Sequence, residues 1–141
     1  MRYIENLRVV CETFFVMEQY DPLASPDATQ WNSLDEATRL ELVEQYHEKN
    51  DVPLPNPRLH ALIHVVVENQ LAEGVPQVTQ TLKRLMNEGL DRHDSIHAIG
   101  SVLAGQIHSV YSGRFTEADL SKPYYRDLKK LKARTWLRQS R

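Results

Sequence analysis

The stretch RLHALIHVVVENQ, residues 58–70, combines a strongly apolar helix with potential metal ligands. Its apolar side chains recur at helical spacing, as expected for a helix in a protein core. His60, His64 and Glu68 stand four residues apart and therefore share one face of that helix. Buried polar groups are costly unless they are hydrogen-bonded or bind a cation. The stretch thus predicts a central helix that carries a binding site.

A second stretch, DRHDSIHAIG at residues 91–100, repeats the pattern with His93 and His97. Two imidazoles at i and i+4 can converge on one ion, and two such helices packed face to face supply four nitrogens. His47 lies on the apolar face of a further predicted helix. The predicted metal ligands are His60, His64, His93 and His97, with Glu68 and His47 as further ligands or as hydrogen-bonding partners of ligands. Imidazole suits zinc, iron or nickel, so the metal stays open.

The alternative to a metal site is a structural cluster, in which the histidines are held by hydrogen bonds. Neutral imidazoles buried without partners would cost about 1–3 kcal/mol each, which favours a metal. His108 follows His97 by about 16 Å along a helix at 1.5 Å per residue, too far to join the same centre. In an enzyme of this kind a metal-activated water is the nucleophile and Glu68 the proton acceptor. Hydrolysis is therefore the default reaction, with no catalytic residue assigned.

Two enzyme motifs come close to this pattern. HDSIHAIG resembles the His-Glu-x-x-His-x-x-Gly core of metalloproteases, but Asp94 replaces the glutamate and Leu103 occupies the third ligand position. The His93-Asp94 doublet also resembles that of helical metal-dependent phosphohydrolases, which need further distant ligands. We rank both below metal binding without an assigned reaction.

Proline and glycine breaks divide the chain into predicted helices. These cover about 3–19, 33–49, 57–73, 75–88, 92–112 and a last basic helix from about 123. Ser33 with Glu36 forms a capping-box signature, while Asn56 and Asp91 are the expected caps of the third and fifth helices. No segment alternates with strand period. We predict an all-α fold: one helical bundle of about five to six helices in a single domain, 1–141, with helices three and five central.

Composition indicates an ordinary soluble protein. The 141 residues are 41% hydrophobic and 26% charged, and no uncharged run reaches transmembrane length. The N-terminus lacks the apolar core of a signal peptide. The single cysteine, Cys11, rules out an internal disulfide and is expected to be an inert core thiol. We predict a cytoplasmic protein without a membrane partner.

The C-terminal segment, residues 122–141, is strongly basic, with eight Lys/Arg against Asp127 alone. Basic and aromatic residues together are typical of nucleic-acid contacts. The alternative function is therefore a non-enzymatic interaction protein that binds nucleic acid or an acidic protein partner, with a structural histidine cluster. We favour a plainer interpretation, a solvated amphipathic helix that packs Leu128, Leu131 and Trp136 on the bundle or on a partner. The oligomeric state stays open.

Three pieces of the chain carry a resemblance to a known family. They are WNSLDEATRLELVEQYH (31–47), NPRLHALIHVVVENQLA (56–72) and LDRHDSIHAIGSVL (90–103). In order and spacing they resemble a small bacterial family described only as a domain of unknown function. The pieces cover about a third of the chain and include five of its six histidines. The resemblance supports the fold and the site, His47 included, but implies no substrate.

Overall fold

The computed structural model describes residues 17–50, 54–114 and 120–140. Within these ranges the chain forms seven α-helices and no strand, so the all-α prediction is confirmed. The count exceeds the five to six helices predicted. The helices are α1 (Ala28–Ser33), α2 (Glu36–Lys49), α3 (Pro57–Ala72), α4 (Pro76–Asn87), α5 (Arg92–Tyr111), α6 (Ser121–Lys130) and α7 (Ala133–Gln139).

The short helix α1 is absent from the sequence prediction and changes how α2 begins. The Asp27 side chain caps α1, and the Ser33 hydroxyl donates to a carbonyl near the end of α1. Asp35 therefore caps α2, accepting from the Thr38 backbone N–H at 2.7 Å. The capping box expected from Ser33 and Glu36 is wrong, because Ser33 is already part of a helix.

The predicted caps of the third and fifth helices are confirmed. The Asn56 side chain caps α3, and the Asp91 side chain caps α5. Gly74 and Gly89 follow α3 and α4 with φ of 71° and 108°, a left-handed conformation that glycine adopts without strain.

The basic C-terminal segment forms two helices, α6 and α7, rather than the single helix predicted. The break falls at Leu131 and Lys132. Arg84 of α4 donates to the carbonyls of Leu128 and Leu131, satisfying backbone groups next to the break. Leu128 is fully buried, and Leu131 and Trp136 pack against the core. The packing interpretation is thus confirmed, whereas a nucleic-acid or acidic-protein partner stays a prediction.

The helices pack around α3 and α5, as predicted. The two contact each other; α3 also packs on α1, α2 and α4, and α5 on α4, α6 and α7. Apolar side chains form two clusters, and α3 contributes to both, with Val67 in one and Ala61 and Val65 in the other. This position makes α3 the connection between the two halves of the core.

Part of the sequence prediction falls outside the described residues. The helix expected over 3–19 lies mostly there, as does Cys11, and residues 17–20 are not helical. Among the helices that the structure describes, none is both long and apolar enough to cross a membrane.

The close approach of α3 and α5 depends on Gly100. A Cβ at this position would lie 2.7 Å from Cγ2 of Ile63, well inside van der Waals contact. Because isoleucine is branched at Cβ and stiff at χ1, its methyl group cannot simply turn away. Any larger residue at position 100 must therefore push the two helices apart.

We predict that Gly100→Ala lowers the free energy of unfolding by about 1–3 kcal/mol, the usual range for overpacking. Gly105→Ala is the matched control on the same helix, because a Cβ there meets nothing within 4 Å. Alanine favours helix over glycine by about 0.5–1 kcal/mol, so the control should be stabilised. Urea denaturation measures both, and equal effects would contradict a close contact at Gly100.

Candidate metal centre

Five imidazoles meet where α2, α3 and α5 come together. His47 comes from α2, His60 and His64 from α3, and His93 and His97 from α5. Four of them (His47, His60, His64 and His97) offer ligand atoms that all lie within 4.8 Å of one another. This group could hold a metal ion. We call the five residues together the histidine cluster.

His93 stands at the edge of the four-histidine group. Its ring centroid lies 4.2 Å from that of His97 and 5.1 Å from that of His64. The ring of Tyr46 packs edge-on against His93 on another side. The sequence pairs on α3 and α5 are therefore brought together, and His47 joins them.

Several imidazole nitrogens of the cluster lack hydrogen-bond partners. The Nε2 atoms of His64, His93 and His97 are buried and make no hydrogen bond with any residue that the structure describes. Each such atom costs about 1–3 kcal/mol when left unsatisfied. A cation bound in the cluster would give such nitrogens a partner. The arrangement is therefore unfavourable as a purely structural cluster.

Backbone contacts determine how His47 faces the cluster. Its Nδ1 lies 2.8 Å from the Val43 carbonyl oxygen, which accepts a hydrogen bond from it. A neutral imidazole has one N–H, so Nε2 of His47 carries a bare lone pair. That nitrogen lies 3.1 Å from Nε2 of His60, so it accepts a hydrogen bond from His60 Nε2–H. The tautomer of His47 is thus the one that a metal requires.

Glu68 belongs to a separate polar group beside the cluster. Both of its carboxylate oxygens accept hydrogen bonds from Arg92, at 2.8 and 2.9 Å. The Tyr20 hydroxyl donates to the same carboxylate at 2.6 Å. Both charged side chains are buried. The charge of Glu68 is therefore balanced by Arg92, and Glu68 is not among the four residues whose ligand atoms come together.

Tyr20 connects this ion pair to the histidine cluster. Its hydroxyl oxygen lies 3.2 Å from Nδ1 of His64. Because burial, followed by the charge of Glu68, raises the pKa of Tyr20 well above its ordinary value, the phenol stays protonated. Its only proton goes to Glu68, so the oxygen accepts from His64 Nδ1–H. This leaves Nε2 of His64 unprotonated on the cluster side.

The cluster is uncharged at neutral pH. Burial, and then repulsion from neighbouring imidazoles, lowers the pKa of His60 to about 4 and that of His97 to about 3. Burial also lowers the pKa of His93 to about 4, and that of His64 further. Neutral imidazoles are the form that binds metals, so the cluster needs no deprotonation before an ion enters.

Sequence reasoning missed Tyr20 and Arg92. The signal for Arg92 was the cost of burying Glu68, which demanded a cation; a residue of the chain supplies it. Tyr20 precedes α1 in a non-helical stretch, where no periodic pattern marks it. His108 is exposed near the end of α5, outside the cluster as expected. The four-histidine group contains no carboxylate, so the His93-Asp94 doublet gains no support from it.

Comparisons of the chain with protein-family models, with curated proteins and with solved structures gave no match. The resemblance to a family of unknown function therefore stays a prediction.

We predict that Tyr20→Phe weakens metal binding by about 10–100-fold, because ligand orientation depends on such outer hydrogen bonds. Titration of the metal-free protein with zinc against a competing chelator measures the change. Tyr124→Phe is the matched control: it removes another buried hydroxyl, which donates to Gln70 at 2.7 Å away from the cluster. Equal affinities in the two variants would contradict the role of Tyr20.

We predict that the metal-free protein loses stability as the pH falls from about 6.5 to about 4. Over this window the unfolded chain protonates histidines near pH 6.5, whereas folded His60 and His93 stay neutral down to about 4. Each such residue lowers the free energy of unfolding by about 1.4 kcal/mol per pH unit. Urea denaturation at several pH values measures the slope.

Two variants serve as a test and a control in the same denaturation series. His97→Gln should reduce the pH dependence, whereas exposed His108→Gln should leave it unchanged. A flat profile for the wild-type protein would contradict a buried neutral cluster.

Proposed function

We propose that this protein binds one divalent transition-metal ion through its histidine cluster. The observation that carries the proposal is the set of three buried Nε2 atoms without partners, on His64, His93 and His97, beside His47 and His60. A protein that folded around this cluster without an ion would leave these nitrogens desolvated and unbonded. We propose all five residues as ligands.

The donor set restricts the kind of ion. It offers five imidazole nitrogens and no carboxylate, whereas magnesium and calcium prefer oxygen ligands. A structural zinc site usually takes four protein ligands, fewer than this cluster offers. The proposed cofactor is zinc, iron or nickel, and five nitrogens suit an ion with five or six coordination positions best.

The ion would also stabilise the fold. Its ligands come from α2, α3 and α5, so binding joins three helices that are separated in sequence. A ligand that binds only the folded state adds its binding free energy to stability.

Hydrolysis by a metal-activated water, the default reaction from the sequence, stays a prediction. We do not propose Glu68 as the proton acceptor in such a reaction. Protonating this carboxylate would remove the partner of the buried Arg92 guanidinium, 5% exposed, and leave an unpaired charge in the core.

The first test is the metal content of untagged protein, purified without chelator or nickel resin and measured by plasma mass spectrometry. We expect about one equivalent of a single metal per chain. His64→Ala should reduce this at least tenfold, because His64 is almost completely buried at the centre of the cluster. His108→Ala is the control, since it removes an exposed histidine outside the cluster.

Wild-type protein that contains less than a tenth of an equivalent, and takes up no added zinc, iron or nickel, would refute the proposal. Equal metal content in the two alanine variants would refute this location.

A further inference from the structure

We propose that the metal centre takes a small uncharged ligand, with an apolar body and one donor atom, through the cleft between α3 and α5. The inference rests on the proposed metal binding and adds the class of molecule that reaches the ion. It stands on the size of the cleft, its apolar lining and the three histidines of the cluster that line it.

The cleft encloses about 220 Å³ next to the histidine cluster. Its lining residues are His60, Ile63, His64, Ile96, His97, Gly100, Ser101 and Ala104. Three of them belong to the cluster, and two of these, His64 and His97, have a buried Nε2 without a partner. A ligand in the cleft therefore lies beside the proposed ion.

The size and lining of the cleft limit what fits. Its walls are the isoleucines and the small residues Gly100 and Ala104, and Ser101 is exposed. The volume is below that of typical drug-sized pockets, which are roughly 300–1,000 Å³. It suits a single ring or a short chain.

Charge determines the ligand class. Among residues 17–50, 54–114 and 120–140, no lysine, arginine, aspartate or glutamate lines the cleft. The nearby guanidinium of Arg92 has both terminal nitrogens engaged, with Glu68 and with the Pro22 carbonyl. A phosphate or carboxylate would find no cationic side chain there and would lose hydration without compensation. An uncharged ligand with an apolar body meets no such cost.

The cleft also gives Gly100 a second role. The small residues Gly100 and Ala104 lie one helical turn apart on α5, and both line the cleft. Gly100 lets Ile63 approach, while Ala104 keeps the adjoining space open. A larger residue at position 104 should fill the cleft without replacing any histidine that we propose as a metal ligand.

The test uses the full chain loaded with cobalt(II), whose visible absorption reports changes in coordination. The probes are imidazole, 4-phenylimidazole and inorganic phosphate. We expect 4-phenylimidazole to bind at least tenfold more tightly than imidazole, and phosphate not to change the spectrum. A tenfold gain is about 1.4 kcal/mol, which corresponds to roughly 55 Å² of buried apolar surface.

Ala104→Leu should remove the preference for 4-phenylimidazole and leave the cobalt content unchanged. Ala37→Leu, the same change at an exposed position on α2, should keep the preference. Ser101→Val is a second cleft variant, at an exposed position where a folding defect is not expected, and should weaken the preference.

The outcomes separate the two proposals. Bound cobalt with equal affinity for the two imidazoles, with no response to any probe, or with tighter binding of phosphate would overturn the ligand class and leave the metal site standing. An Ala104→Leu or Ser101→Val variant that keeps the full preference would overturn the cleft as the binding site. A chain that takes up no cobalt would overturn both proposals.

Discussion

The buried ion pair between Glu68 and Arg92 is the interaction on which the rest of the site depends. Glu68 follows His64 by one turn on α3, and Arg92 directly precedes His93 on α5. Their two parallel hydrogen bonds hold the helices at one register, since a shift of either helix would leave a charge unpaired in the core. Such pairs add little net stability compared with apolar packing, so the main effect here is positional.

The ion pair also keeps net charge away from the histidines. Glu68 and Arg92 neutralise each other, and the five imidazoles beside them are neutral, so in the part of the chain that the structure describes the buried formal charges form a matched pair. The site therefore differs from carboxylate-rich metal centres, in which the protein supplies negative charge to the ion. Here attraction would come from lone pairs alone, which favours ions that bind nitrogen strongly.

Much of this arrangement is predictable from the sequence. The i, i+4 spacing of two histidine pairs on apolar helices predicted the convergence, and His47 followed from its place on an apolar face. The caps at Asn56 and Asp91 were equally local signals. The helix α1 was missed because proline-rich surroundings outweighed its six residues. Tyr20 and Arg92 depend on contacts over 48 and 24 residues, which no local pattern encodes.

The burial of the centre within three helices has a consequence for the rate at which an ion could leave. His64 is 1% exposed, so its side of the cluster is shielded from solvent, and the cleft between α3 and α5 is the opening that we propose for a small ligand. Its place on α3, between α2 and α5, means that the ligands separate only when these helices part. Metal exchange would then be governed by local unfolding of the bundle rather than by the strength of single metal–nitrogen bonds. An ion held in this way would be kinetically trapped, and a chelator would extract it only as fast as the helices open.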